Sequence, residues 1–298
     1  LSCLVGSEMC IRDSLYRDSK KRSFYGVIMA GGSLGAIFGS EISKRFSGSF
    51  DELGLELFSL SAALFLFLAM LLAFYMLSIS NNDQTIDTDN AGGGSFDAIK
   101  NSLQINEIRN IASYVWIWTA LMTVQWITAI NIVEDWSQNS EQRLRFFAIM
   151  EQVISPLTLI IQLFFTNLII KKIGIKNILL SYGILFFIAF MLYGLIPSII
   201  SVGVVTVFLR VFEYGINKPT RETIFSTLKK NDRYKSTVFI DTFISRFGDL
   251  SGSGFIAIGK LTSIAANSLP LIAIPIAGFL SILGLSLIHI SEPTRQDS

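Results

Sequence analysis

Apolar stretches long enough to cross a bilayer recur along this chain, and in the stretch from residue 210 to 254 they carry Arg210, Glu213, Asp241, Arg246 and Asp249 inside them. An ionised side chain in hydrocarbon costs on the order of several kcal/mol, so such residues face a bundle interior or a water-filled path, where they pair or handle a ligand. Composition agrees with a membrane chain: 51% of residues are hydrophobic and 16% charged, with a mean hydropathy of +0.54, far from a soluble domain. Eight stretches have spanning length, at about 24–43, 55–77, 111–133, 146–170, 177–196, 198–216, 236–259 and 268–284. The expected fold class is all-α and polytopic, a chain whose first partner is the lipid bilayer.

Charge bias orients these spans. The segments before the first (Lys20, Lys21, Arg22), between the fourth and fifth (Lys171, Lys172, Lys176) and between the sixth and seventh (Lys218, Arg221, Lys229, Lys230, Arg233, Lys235) are basic and alternate correctly, which predicts a cytoplasmic position. Residues 80–110 resist the rule, being acidic and polar around Gly92, Gly93 and Gly94. Acids weigh little in it, however, and the composition reads as a flexible linker. That linker divides the chain into 15–79, with two spans, and 111–284, with six.

Helix geometry groups the charged positions. Arg210, Glu213 and Tyr214 fall at i, i+3 and i+4 and are expected to share a face and pair locally. On the seventh span Asp241, Ser245, Gly248, Asp249 and Gly252 form a small polar stripe flanked by Arg246, suited to a cavity wall. Glu151 and Gln162, three turns apart, share one face of the fourth span, with Pro156 between them. For both groups the alternative is an interhelical network that fixes packing without touching a ligand. Gly31, Gly35 and Gly39 repeat every fourth residue, as do Gly248 and Gly252, spacing that lets helix backbones approach closely. Trp116, Trp118 and Trp126 read as interfacial anchors and packing residues. Pro219 and the residues to Lys230 read as a short helix on the cytoplasmic membrane surface.

No G-x-x-x-x-G-K-[ST] occurs, and Gly252, Gly254 and Ala257 match a dinucleotide fingerprint by letter alone, inside a span rather than after a strand. The chain is therefore expected not to be an enzyme and to need no cofactor. Its formal net charge of +1 implies no nucleic-acid surface.

A longer pattern runs through Arg210, Tyr214, Pro219, Arg221, Glu222, Phe225, Tyr234, Lys235, Phe239, Ile240, Asp241, Arg246, Gly248 and Asp249, extends back to Gln162, Lys171 and Lys172, and more weakly to Gly31 through Gly39. It resembles the second half of the ATP/ADP translocase family, a divergent branch of the major facilitator superfamily. Glu151 stands where relatives often show aspartate, and Ala36 where the glycine-rich antiporter motif has proline.

The resemblance implies a major-facilitator-like bundle of twelve spans, of which these are the fifth to the twelfth, so that the other partner is the chain's own missing N-terminal spans. It implies a multi-pass protein of a bacterial inner membrane that exchanges ATP and ADP by alternating access. Arg210 and Arg246 would meet phosphates; Asp241 and Asp249 would pair with them or carry protons; Glu213, Glu151 and Gln162 would complete the site. Arg221, Glu222, Tyr234 and Lys235 would form a cytoplasmic gate. The run opening at Lys21 is similar to the one opening at Lys235, the parallel repeat such a fold contains. Four membrane acids (Glu151, Glu213, Asp241, Asp249) against two arginines suit a polyanion poorly, which keeps open a proton-coupled carrier of another metabolite. A facilitator-like sensor or assembly protein that transports nothing is the reading from a different class.

Residues 4–14 and 285–295 are translations of one DNA sequence read on its two strands, and that DNA resembles a transposase adapter. Segments 1–14 and 285–298 are accordingly expected to lie outside the natural protein. They contain the one histidine, His289, and both cysteines, Cys3 and Cys10. What remains has no thiol or imidazole, so neither disulfide, metal-thiolate nor His-based chemistry is expected.

Overall fold

The computed structural model describes residues 34–42, 52–80, 106–221, 236–264 and 268–286. The described residues are helical with short connections, and no strand occurs among them. We name the helices α1 (Glu52–Ser80), α2 (Asn106–Trp136), α3 (Ser140–Ile160), α4 (Thr166–Leu195), α5 (Ile199–Phe212), α6 (Ser245–Leu261) and α7 (Leu269–Ser286). Residues 34–42 form one further helical stretch.

Three wider turns of π type interrupt this pattern, at Ile161–Phe165 joining α3 to α4, at Glu213–Asn217 extending α5, and at Ile240–Ile244 leading into α6. Helical residues continue beyond the second to Arg221 and precede the third from Ser236.

Four helices among the described residues are long and apolar enough to cross a membrane: Ile108–Trp136, Ser140–Phe165, Leu168–Leu195 and Ile199–Arg221. They match the expected spans at 111–133, 146–170, 177–196 and 198–216. The other four expectations fare differently. Apolar helix of the required kind is shorter at Leu60–Leu72 and Leu269–Leu285, the 236–259 stretch is helical but carries Asp241, Arg246 and Asp249, and only part of 24–43 is described. Linker residues 81–105 and, of the end segments, residues 1–14 and 287–298 lie outside the described residues.

Local chemistry sets the breaks. Ser198 caps α5 reciprocally with Ser201, each hydroxyl accepting from the other's backbone N–H. Asn139 accepts from the Glu141 N–H to open α3. Gly174 sits at φ 81°, ψ 153° inside α4, a conformation that favours glycine because it has no Cβ. The break leaves residues 175–195, at 1.5 Å per residue roughly 30 Å of helix, about the thickness of a hydrocarbon core. Lys171, Lys172 and Lys176 flank it, where the sequence places a basic turn.

The core forms around α2, which packs against α4, α5, α6 and α7. Its buried Ile108, Val115, Ala129 and Val133 join an α4 aromatic stripe of Tyr182, Phe186, Phe190 and Tyr193, together with Ala273, Ala277 and Leu280 of α7. Phe212 stacks on Tyr182 with ring centroids 5.4 Å apart. Close approach between α4 and α7 needs small residues: a Cβ at Gly183 would stand 2.7 Å from the Ala277 carbonyl oxygen, and the Ser281 hydroxyl donates to the Leu180 carbonyl at 3.1 Å.

Glycines on α6 do the same against α2. A Cβ at Gly248 would reach within 2.6 Å of the Trp116 carbonyl, and one at Gly252 within 2.9 Å of Thr123 Cβ, so the expected packing role holds at these two positions. At Gly35 and Gly39 a Cβ would meet nothing within 4 Å among the described residues, and their helix contacts α3 through Gln152, which donates to Glu41. Gly31 lies outside the described residues. Along α1 the large side chains from Leu60 to Tyr75 stand exposed, as expected of a helix that faces lipid.

Candidate functional site

Pro219 organises the site. It lies within the helical run that extends α5 to Arg221, and proline supplies no N–H to the carbonyls behind it while its ring crowds the carbonyl four residues back. The wide turn at Glu213–Asn217 precedes it, with the Lys218 N–H donating to the Glu213 carbonyl. Next in order are the Tyr214 and Gly215 carbonyls, five and four residues before Pro219.

Both are served from across the helix interface by the first π turn, Ile161–Phe165, and its exit. Gln162 Nε2 donates to the Tyr214 carbonyl at 3.0 Å, and the Thr166 hydroxyl donates to that of Gly215 at 2.6 Å. Side chains of neighbouring helices satisfy freed backbone groups in this way where no water is at hand.

Arg221 has its place set by the same turn. In an unbroken α-helix, eight residues of advance put a side chain about 80° round from its start; one bulged-in residue brings that to roughly 20°, the spacing of two full turns. Arg221 therefore stands over Glu213, and its Nη2 donates to Glu213 Oε1 at 3.0 Å. The pair is withdrawn from the surface, with side chains 10% and 3% exposed. Asn217 Nδ2 donates to the other carboxylate oxygen at 2.6 Å, and its Oδ1 accepts from the Tyr114 hydroxyl at 3.4 Å. The guanidinium carbon lies 4.3 Å from the Trp118 ring centroid, a stacking that suits arginine's weakly hydrated planar cation.

Sequence spacing predicts Arg210 paired with Glu213, and the structure separates them. Arg210 Nη1 donates to Glu151 Oε2 at 2.8 Å across the α3–α5 interface, with its guanidinium 5.8 Å from the Tyr214 ring. Ser155 donates to the remaining oxygen of Glu151 at 3.0 Å. Glu151 and Gln162 do share the face turned toward α5, as expected.

On α6, Arg246 Nη1 donates to Asp249 Oδ2 at 3.0 Å, and Thr123 on α2 donates to Asp249 Oδ1 at 2.9 Å. The close passage at Gly248 and Gly252 brings these helices near enough for that bond. Trp116 is packed there too, its Nε1 donating to Ser251 at 3.0 Å. Asp241 sits on the third wide turn, exposed, in the field of Arg221 and Lys218. No described side chain donates a hydrogen bond to its carboxylate.

A cleft of about 270 Å³ opens between α2 and α5, lined by Met122, Thr123, Gln125, Trp126 and Arg210. It has Arg210 on one wall and, on the other, the threonine that holds Asp249. Gln125 continues inward, its Nε2 donating to Tyr193 at 2.9 Å and Thr206 at 3.2 Å.

Of the expected cytoplasmic gate, Glu222, Tyr234 and Lys235 lie outside the described residues. Arg221, the one member of that set among the described residues, is buried beside Glu213. Sequence reasoning passed over Tyr114, Thr123, Thr166 and Asn217. The signal for Asn217 was its spacing midway between Glu213 and Arg221, and the signal for Thr166 was Pro219. A scan against protein-family models and a search of curated proteins both return no match to this chain.

Proposed function

We propose that the chain forms the membrane core of a secondary transporter of the ATP/ADP translocase type, which exchanges nucleotides by alternating access in a bacterial inner membrane. In this reading the four long helices join spans at 24–43, 55–77, 236–259 and 268–284 in a major-facilitator-like bundle. The observation that carries the proposal is Arg210, a cation on the cleft wall paired with a partly exposed carboxylate, Glu151.

An arginine fork binds phosphate through two parallel hydrogen bonds. A phosphate entering the cleft exchanges for Glu151 without leaving the arginine uncompensated, and Arg246 is available to it by the same exchange with Asp249. Binding then releases carboxylates as it captures cations, which links occupancy to helix position, since each pair bridges or borders different helices. The family resemblance supplies the identity of the anion.

Asp241 favours a second reading. Arg210, Arg221 and Arg246 are each occupied by a carboxylate, which leaves Asp241 without a hydrogen bond from the described side chains, as a proton-carrying group in a proton-coupled carrier of another metabolite requires.

The two are separated by reconstituting the full-length protein in liposomes preloaded with unlabelled ADP and following entry of labelled ATP. Entry that needs internal nucleotide, and that fails in Arg210→Ala and Arg246→Ala variants shown to be folded, is the expected result. Folded wild-type protein that admits no ATP rejects nucleotide exchange. Uptake of another solute driven by a pH gradient and lost in Asp241→Asn establishes the second reading.

A further inference from the structure

Asn217 is completely buried and stands between two partners that fix which way its amide points. Because the ionised carboxylate of Glu213 can only accept, the amide nitrogen must face it, which leaves the amide oxygen to accept from the Tyr114 hydroxyl. Glu213 thus has its oxygens divided, one on a neutral donor and one on the Arg221 guanidinium. A glutamate has three side-chain torsions, and a single ion pair leaves most of that freedom; two donors on different oxygens remove it.

We propose that Asn217 is a positioning residue for the charged site: through Glu213 it holds the carboxylate in the one orientation that pairs with Arg221, and the wide turn at Glu213–Asn217 supplies the register that lets all three meet. The expected effect on transport rests on the transporter reading above, whereas the geometry itself does not.

Ionisable and charged groups face this place from each side: Arg221 and Lys218 along the same helix, Tyr114 from α2, Tyr182 from α4 and Asp241 from the turn before α6. Asn217→Asp keeps the shape and sets a second carboxylate against Glu213. Two acids at hydrogen-bond distance do not both ionise readily, so the pair tends to hold one proton between them. With that proton the introduced acid restores the donor that the amide provided; without it, the two carboxylates repel.

Exchange by the Asn217→Asp variant relative to wild type, in full-length reconstituted protein, is expected to climb at least about fivefold as pH falls from 8 to 5.5. A space-filling role predicts a flat ratio. The second measurement is the infrared carboxylate band of Glu213, identified by its loss in Glu213→Gln. Tyr114→Phe, which removes the hydroxyl that the amide oxygen accepts from and so loosens the amide against Glu213, is expected to shift that band. A flat ratio in folded protein, or an unmoved band in Tyr114→Phe, overturns the proposal. Wild-type protein without nucleotide exchange sinks the transport reading, and the infrared comparison then decides the positioning role by itself. The same comparison decides it if Asn217→Asp does not fold.

Discussion

Replacing Glu213 with leucine removes the carboxylate from a guanidinium that has almost no contact with solvent. The loss does not stop at one bond. Arg221 Nε already lacks a hydrogen-bond partner, so the variant leaves a buried cation with the Trp118 face and the more distant field of Asp241, and Asn217 loses its acceptor. Breaking a buried pair from one side costs about 3–5 kcal/mol, since the remaining charge is uncompensated.

Arg221→Met strands Glu213 in turn, with Asn217 as its one strong donor. The double variant leaves no buried charge. Its cost falls to the orphaned Asn217 amide, about 1–3 kcal/mol, against the gain of up to about 4 kcal/mol seen when buried pairs are replaced by apolar ones. The double variant is therefore expected to be more stable than either single one. Denaturant unfolding in mixed micelles, followed by tryptophan fluorescence, measures all three, and Trp118 under Arg221 is a local reporter. A Glu213→Leu variant within about 1 kcal/mol of wild type, or single effects that simply add in the double, would refute a desolvated pair.

Gly252→Val puts side-chain atoms into the Ala120 carbonyl and Thr123; overpacking of this kind costs about 1–3 kcal/mol, and a cysteine pair placed across α2 and α6 should cross-link more slowly in the variant. Thr166→Val keeps the shape of the side chain and strips the donor from the Gly215 carbonyl, for a loss of about 1–3 kcal/mol in unfolding free energy. An unchanged value would show that Gly215 finds another donor.

Much of the helical layout was legible from apolar run length, because a bilayer-length run with no polar interruption has few other uses. The stretches at 111–133, 146–170, 177–196 and 198–216 all emerge as helix, and the break at Gly174 falls among the lysines that mark it. The charged site was legible in its members and not in its pairings. Arg210, Glu151, Glu213 and Asp249 all take part in ion pairs, yet spacing along one helix puts Arg210 beside Glu213, whereas Arg210 reaches Glu151 on another helix and Glu213 takes Arg221 from beyond the wide turn. A single bulged-in residue rotates everything beyond it by about 100° while leaving composition untouched. The wide turn at Glu213–Asn217 brings Arg221 over Glu213 in this way, and the helix continues through Pro219 to Arg221 on hydrogen bonds borrowed from Gln162 and Thr166.

Those two borrowed bonds also constrain motion. Their acceptors, Tyr214 and Gly215, are adjacent on the chain, so the bonds tie the crossing at nearly one point. Sliding one helix past the other by a single residue, about 1.5 Å, strains both bonds together. Tilting about that point stretches neither appreciably, while the far ends travel in opposite directions. For these two bonds the crossing is a fulcrum rather than a rail, so tilting has to be taken up at the Arg210–Glu151 pair farther along the same interface, while the Glu213–Arg221 pair beside the pivot is displaced least.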